Sequence, residues 1–542
     1  MSAKPTYETQ RIDHLGIVAG ICQEIGLIEQ IDQQVKSSGR KVSCGQATQA
    51  MILNALGFVG RAMYLMPDYL RNKPVDLLVD QNLTAEDFND DTLGRGLDDL
   101  YAAGVTEVFY QVAAHALQVY GIRSDFVHLD SSSFHLHGVY DVDEADREAI
   151  SITYGYSRDH RPDLKQVVLQ LITHHKSALP VWLEVLSGNS NDKKTFKATV
   201  QAYTRQIRTS EQPYIVMDSA GYTADTLKEM GAMRWLMRVP ETLAQAKQLV
   251  KEMAATEMCE LAAGYQGQEV ICEYAGISQR WLVIVSQAAR KRELKTLEKA
   301  QARELKKVQK EWRKLARQTF NCQADAEKAW AKFNQKLKYH RVEAETVPLQ
   351  QYTRRGRPTA KDQKETVGYN LQGQVTVDET QVAEAQRSLG CFIIATNEMD
   401  SNCLPALAML ENYKSQGVSV ERGFRFLKDP LFFAHSLFLK KPERLMALLM
   451  IMGLSLLIYS LAERNLRQAL QEMNLSIPSQ TRKPTQRPTM RWVFLLFEGL
   501  DILLVKQNDE IVLRQLLNLR PAQEQVIKLL GSHVQNCYLF GS

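Results

Sequence analysis

Val127-His128-Leu129-Asp130 and Ile215-Val216-Met217-Asp218 decide how this chain reads. In each, apolar or β-branched residues run into an aspartate, the pattern of a buried strand that delivers a carboxylate to its end. A third stretch, Glu421-Arg422-Gly423-Phe424-Arg425-Phe426-Leu427-Lys428, is helical in period. Its Glu421, Arg425 and Lys428 fall at i, i+4 and i+7, so one carboxylate and two cations share a face. Taken singly, each aspartate is more often a cap or turn residue. Together the three acids have another use. Convergent carboxylates can hold two divalent metals about 4 Å apart, the arrangement used for in-line displacement at phosphorus. Ser131-Ser132-Ser133 and Ser219-Ala220-Gly221 beside the aspartates leave room for metals and a phosphate backbone.

Outward from these stretches the pattern is mixed. Phe126–Ser131, Gln166–His174 and Pro180–Leu186 read as three neighbouring strands, Thr195–Ile207 as a helix and Tyr214–Asp218 as a fourth strand. Thr223–Met230 reads as a second helix and Arg234–Val239 as a fifth strand. The expected fold is α/β: a mixed sheet with helices on both faces, interrupted by a large insertion. An all-α N-terminal domain and a helical C-terminal region complete it. The boundaries drawn from sequence are 1–122 for the helical domain, 123–239 and 390–470 for the two parts of the core, and 240–389 for the insertion. Residues 471–542 read as a basic arm and a C-terminal segment. Within the insertion, Leu305, Val308, Trp312 and Leu315 step at helical spacing, as do Trp330 and Phe333 to Leu337, which suits a helical hairpin.

Charge is unevenly spread. Arg290–Arg341 carries 17 Lys/Arg against 6 Asp/Glu, while the whole 542-residue chain has a net charge of only +4. A basic block on a near-neutral chain suggests a polyanionic partner, with a solvated basic helix as the bland alternative. The eight cysteines are scattered, with no CxxC pair and no Cys/His ligand spacing, so zinc and a disulfide framework both lack support. His128, His135 and His137 crowd Asp130, but His174 and His175 point to opposite strand faces and cannot both ligate easily. The start, MSAKPTYETQRIDHLG, has no signal-peptide apolar core, so the reading is cytoplasmic. Leu445–Ala462 is 18 residues without a charge, long enough to span a membrane. Its mixed flanking charge favours a helix buried on all sides instead, and no membrane partner is expected.

The chain resembles the DDE transposases of bacterial insertion sequences, within them the IS4-like group and its IS1634-like branch. Tyr154-Gly155-Tyr156-Ser157-Arg158-Asp159-His160-Arg161-Pro162-Asp163-Leu164-Lys165-Gln166 looks like that group's stretch leading into the second strand. Gly188-Asn189-Ser190-Asn191-Asp192 matches the turn after the third. The resemblance covers nearly the whole chain and implies a ribonuclease-H-like core. It implies Asp130, Asp218 and Glu421 as catalytic metal ligands for two Mg²⁺ ions, with Mn²⁺ able to substitute. It also implies cleavage of double-stranded DNA at terminal inverted repeats and strand transfer into target DNA by a two-metal mechanism. A homodimer in a synaptic complex on nucleoid DNA goes with that chemistry.

The wider group carries Tyr, two residues, Arg, three residues, Glu, six residues and Lys around the glutamate. Glu421 and Lys428 keep this spacing. Gly417 stands where Arg is expected, Lys414 where Tyr is expected, and Tyr413 lies one residue early. Lys428 carries over as a phosphate contact, with Arg425 and Tyr413 as further DNA-contact candidates. Arg355-Gly356-Arg357-Pro358 resembles the core of a minor-groove arm, which adds Arg355 and Arg357. Two rival readings stand beside this one: a catalytically silent DNA-binding relic, and a ribonuclease-H-like nuclease without strand transfer.

Overall fold

The computed structural model describes residues 4–36, 39–58, 62–137, 150–157, 159–175, 177–207, 212–231, 233–253, 258–353, 363–417, 420–429, 439, 441–508 and 510–539. In chain order, the elements that position the site begin with β1 (Thr6–Arg11), α1 (Leu15–Glu24), α2 (Cys44–Leu56), α3 (Asp90–Ala103) and α4 (Val105–Val119). Next come β2 (Phe126–Leu136), β3 (Lys165–His174), β4 (Pro180–Ser187), α5 (Asp192–Gln206), β5 (Tyr214–Met217) and β6 (Trp235–Arg238). They are followed by β7 (Cys259–Ala262), β8 (Tyr265–Tyr274), β9 (Ile277–Ser286), α6 (Gln287–Ala316), α7 (Gln323–Asn334), β10 (His340–Tyr352), β11 (Lys364–Val377) and β12 (Cys391–Thr396). The last are α8 (Ala406–Lys414), α9 (Val420–Leu427), α10 (Pro442–Glu472), β13 (Asp501–Gln507), β14 (Glu510–Leu517) and α11 (Ser532–Cys537).

Two compact units divide the chain. The first holds residues 1–237, 274–277 and 410–542. In it β2, β3 and β4 form an antiparallel meander, and β5 and β6 add in parallel on the other side of β2, giving the order β4-β3-β2-β5-β6. Helices cover both faces. Leu171, on one face of β3, meets α9, while Gln170, on the other, bonds the hydroxyls of Thr195 and Thr199 on α5. On the first face a single apolar core takes in α1–α4, Leu169, Leu171, Leu183 and Val185 of the sheet, α9, α10 and α11. The uncharged stretch of α10 runs through that core, and 83% of its most apolar 18-residue window is buried. The helix is therefore apolar all round because protein surrounds it.

The chain opens differently from the all-α domain expected over residues 1–122. Thr6–Arg11 is a strand, antiparallel to β13 near the far end of the chain. Local pattern could not reveal it, because Thr6-Tyr7-Glu8-Thr9-Gln10-Arg11 is polar and mostly exposed. The basic stretch read as an arm is also folded: Ile477 and Pro478 pair with Thr485 and Pro484, and Trp492 Nε1 donates to Pro478 O at 2.7 Å.

The second unit holds residues 238–273 and 278–409. Its β7, β8, β9 and β12 lie in the order β12-β9-β8-β7. The helical hairpin of the basic block is present as α6 and α7. Val308, Trp312 and Ala326 are buried, joined by the partly buried Leu315, Trp330, Phe333 and Leu337. Their partner is the long β10–β11 hairpin, whose Val342 and Leu371 complete this small core. Sequence reading missed β10, because Glu343, Glu345 and Gln350 on it face solvent and its apolar residues are few.

Candidate active site

The parallel ladder between β2 and β5 pairs Phe126 with Tyr214, Val127 with Ile215 and His128 with Val216. The last pair of this ladder is His128 with Val216, and Asp130 and Asp218 each lie two residues beyond it. Asp218 follows the last residue of β5 as expected. Asp130 does not end its strand: β2 runs on through Ser131-Ser132-Ser133 to Leu136, paired throughout with β3. Asp130 lies two residues past the last pair of the β2–β5 ladder and is half-buried. Each aspartate is oriented by a nearby amide: Ser131 N–H donates to Asp130 Oδ1 at 2.8 Å, and Ala220 N–H to Asp218 Oδ1 at 2.8 Å.

Glu421 lies in the first turn of α9, exposed, with Arg425 also exposed and Lys428 half-buried on the same side. The opposite side, Val420, Gly423, Phe424, Phe426 and Leu427, is buried. Gly423 seats the helix: a Cβ there would lie 3.0 Å from Leu171 Cδ2 and 3.2 Å from Leu456 Cδ2. Leu171 is the antiparallel partner of Asp130, so α9 rests beside that part of the β2–β3 ladder. Arg422 anchors the helix to buried Glu463 of α10, which also takes Arg467 at 2.8 Å and Met490 N–H at 3.0 Å. The Glu421 carboxylate lies over Gly417, whose added Cβ would be 3.4 Å from Oε2. An arginine at 417 would touch that carboxylate, whereas glycine leaves it uncovered on that side.

Among the described residues, no three His, Cys, Asp or Glu side chains are gathered closely enough to hold a metal ion. Asp130 and Asp218 each follow the end of the same parallel ladder, and Glu421 lies on α9. Tyr413 is half-buried on α8. Arg355 and Arg357 lie outside the described residues.

Lys428 has a partner that the sequence did not suggest. Its ammonium is 2.6 Å from Asp159 Oδ2 and 5.5 Å from the centre of the Phe134 ring. Asp159 Oδ2 also lies 3.6 Å from His135 Nδ1, and His135 Nε2 is 2.9 Å from Ser157 Oγ. Burial pulls the His135 imidazole below its ordinary pKa, against the opposing pull of Asp159. The two stretches that carried the resemblance meet here. Gly155 packs so closely on Gly188 that a Cβ would fall 2.0 Å from its carbonyl oxygen. Buried Gln166 donates to Gly188 O at 2.7 Å and Tyr156 O at 3.2 Å.

The histidines form a second unforeseen cluster. His128 Nε2 is 3.0 Å from His175 Nδ1, and Ser415 Oγ is 3.2 Å from the first and 2.8 Å from the second. Burial, then the neighbouring His175, lowers the His128 pKa to about 3, so this ring is neutral and packs as a hydrogen-bonding strut. It joins β2, the end of β3 and the turn before α9. The clue available in sequence was that His128 shares a face with Asp130; Ser415 could not be foreseen.

Residues 123–459, well over half the chain, match the family described as Transposase DDE domain. The chain belongs to the DDE transposase family. Residues 7–114 match a domain of unknown function, DUF4277. No curated protein matches the chain. Among solved structures, the piggyBac transposase synaptic complex with hairpin DNA aligns over 91% of this chain and 82% of its own, at 8% identity and a TM-score of 0.38.

Proposed function

We propose that this DDE transposase belongs to the IS4-like group and its IS1634-like branch. It cleaves double-stranded DNA at the ends of an insertion sequence and joins the freed 3′-hydroxyls to target DNA. The observation carrying this reading is the β2–β5 ladder, with Asp130 and Asp218 two residues beyond its last pair, beside Gly423, which seats the Glu421 helix against Leu171, the strand partner of Asp130. The donor set fits Mg²⁺ or Mn²⁺, since all three side chains offer hard carboxylate oxygens. Two such ions, when bound, supply a nucleophile at neutral pH and stabilise the leaving oxygen. In this reading Asp130, Asp218 and Glu421 would together hold the ions.

Lys428 and Arg425, on the same side of α9 as Glu421, hold phosphates flanking the scissile one. The basic α6 tracks the backbone without reading sequence. In this reading the ribonuclease-H-like core is residues 123–239 and 390–470, split by the 240–389 insertion. Residues 1–122 bind DNA ends or a second subunit, and 471–542 add a basic C-terminal part. The working form is a homodimer on paired ends in the cytoplasm, with no membrane partner.

The test uses end duplexes already cut to expose their 3′-hydroxyls, mixed with the protein, Mg²⁺ and a supercoiled plasmid. Joined products are expected from the native chain and absent from Asp130→Asn, Asp218→Asn and Glu421→Gln, each of which still binds the duplex. Hydrolysis without joining would assign a nuclease instead, and binding without either reaction a silent relic.

A further inference from the structure

In the structure an aspartate of the chain itself occupies the cation that the proposed reaction assigns to DNA. Asp159 Oδ2 lies 2.6 Å from Lys428 Nζ and faces His135 Nδ1 at 3.6 Å. Ser157 Oγ fixes how the imidazole presents itself. That oxygen accepts from Arg161 N–H at 2.7 Å and lies 2.9 Å from His135 Nε2. The other ring nitrogen, Nδ1, faces Asp159. An ammonium and an imidazole nitrogen thus face one carboxylate oxygen, a position that a non-bridging phosphate oxygen also suits. The pocket is open to exchange, with side-chain exposures of 44% for Asp159, 27% for Lys428 and 11% for His135. Its floor is the Phe134 ring of β2, four residues beyond Asp130 on the same strand.

We propose that Lys428 and His135 form a site for a DNA backbone phosphate, that Asp159 fills it in the free protein, and that DNA binds by displacing this carboxylate. The inference rests on the DNA-cleaving reading above and adds two residues to it, His135 as a phosphate donor and Asp159 as an internal competitor. An exposed carboxylate–ammonium pair is weak, so displacement is easy and the brake is graded. Exchange favours DNA over isolated anions, because a duplex presents many phosphates at once while Asp159 competes for one position.

The experiment is a double-mutant cycle on duplex affinity, read by fluorescence anisotropy in EDTA so that no cleavage occurs. The ligand is a linear duplex carrying the ends that flank the gene. Asp159→Asn is expected to tighten binding about two- to fivefold in the native background. In the Lys428→Gln background the tightening is expected to be clearly smaller. His135→Gln should weaken binding in the Asp159→Asn background. Equal tightening in both backgrounds would reduce the effect to net charge and overturn the proposal, as would weaker binding by Asp159→Asn. Asp159→Ala gives the same comparison should the Asn variant misfold. If the native chain binds no duplex and cuts none with Mg²⁺, the DNA-cleaving reading fails. If it binds and cuts but the cycle is flat, this inference alone fails.

Discussion

Gly423→Ala separates the stability of α9 from its aim. Alanine raises helix propensity, worth about 1 kcal/mol in favour of the fold. Its Cβ, however, would meet Leu171 Cδ2 at 3.0 Å and Leu456 Cδ2 at 3.2 Å. Carbon contacts are comfortable at about 3.5–4.0 Å, so the helix must lift by roughly 0.5 Å or both leucine tips must turn aside. Overpacking of this kind costs about 1–3 kcal/mol. The net destabilisation is therefore between about 0 and 2 kcal/mol, which a chain with this large a core survives. The active site tolerates less, because catalytic groups have to be held within about 0.5 Å. Cleavage of end duplexes should fall by roughly ten- to a hundredfold while the urea midpoint moves little. Native cleavage rates in a folded Gly423→Ala chain would refute the claim that this glycine positions Glu421. A chain that fails to fold would show that the packing cost has been underestimated.

Three further outcomes follow from the same structure. His14 is fully buried against Leu56 O at 2.8 Å, and burial lowers its pKa to about 4 from an ordinary 6.5. The unfolded state then binds the proton first, so stability is complete above pH 6.5 and declines as pH falls towards 4; the loss at pH 5 is about 2 kcal/mol in urea unfolding, and His14→Gln should flatten it. Glu463→Gln leaves Arg422 and Arg467 facing an uncharged side chain; because both arginines are partly exposed, the expected loss in unfolding free energy is about 1–3 kcal/mol, with reduced cleavage through α9, and an unchanged midpoint would contradict the anchoring role. Replacing Arg355 and Arg357 should weaken duplex binding and flatten its dependence on salt, whereas an unaltered slope would mean they touch no DNA.

The strands that carry the aspartates were legible because Val127-His128-Leu129 and Ile215-Val216-Met217 are buried runs, which sequence composition reports directly. The shared side of Glu421, Arg425 and Lys428 was legible for a similar reason, since helical period depends only on spacing. Ser131-Ser132-Ser133, expected as small residues beside a strand-end carboxylate, instead continue the strand: they are buried and pair with Gln170, Leu169 and Val168. What stayed hidden depends on contacts between distant residues. Asp159 and Lys428 are 269 positions apart, Ser415 and His128 are 287 apart, and β1 meets β13 across almost the whole chain. No local propensity encodes such pairs. They follow from how the strands are registered and which helix face lies on them.

In the proposed reaction Asp130, Asp218 and Glu421 act together on DNA. The most direct measurement incubates the purified protein with linear DNA carrying the flanking ends of its gene, with Mg²⁺ or with EDTA, beside a Glu421→Gln control. Strand breaks at the ends, seen on a denaturing gel only with Mg²⁺ and only in the native chain, are the predicted result. Equal cutting by Glu421→Gln would remove this glutamate from the active site, and cutting in EDTA would contradict the metal-dependent account altogether.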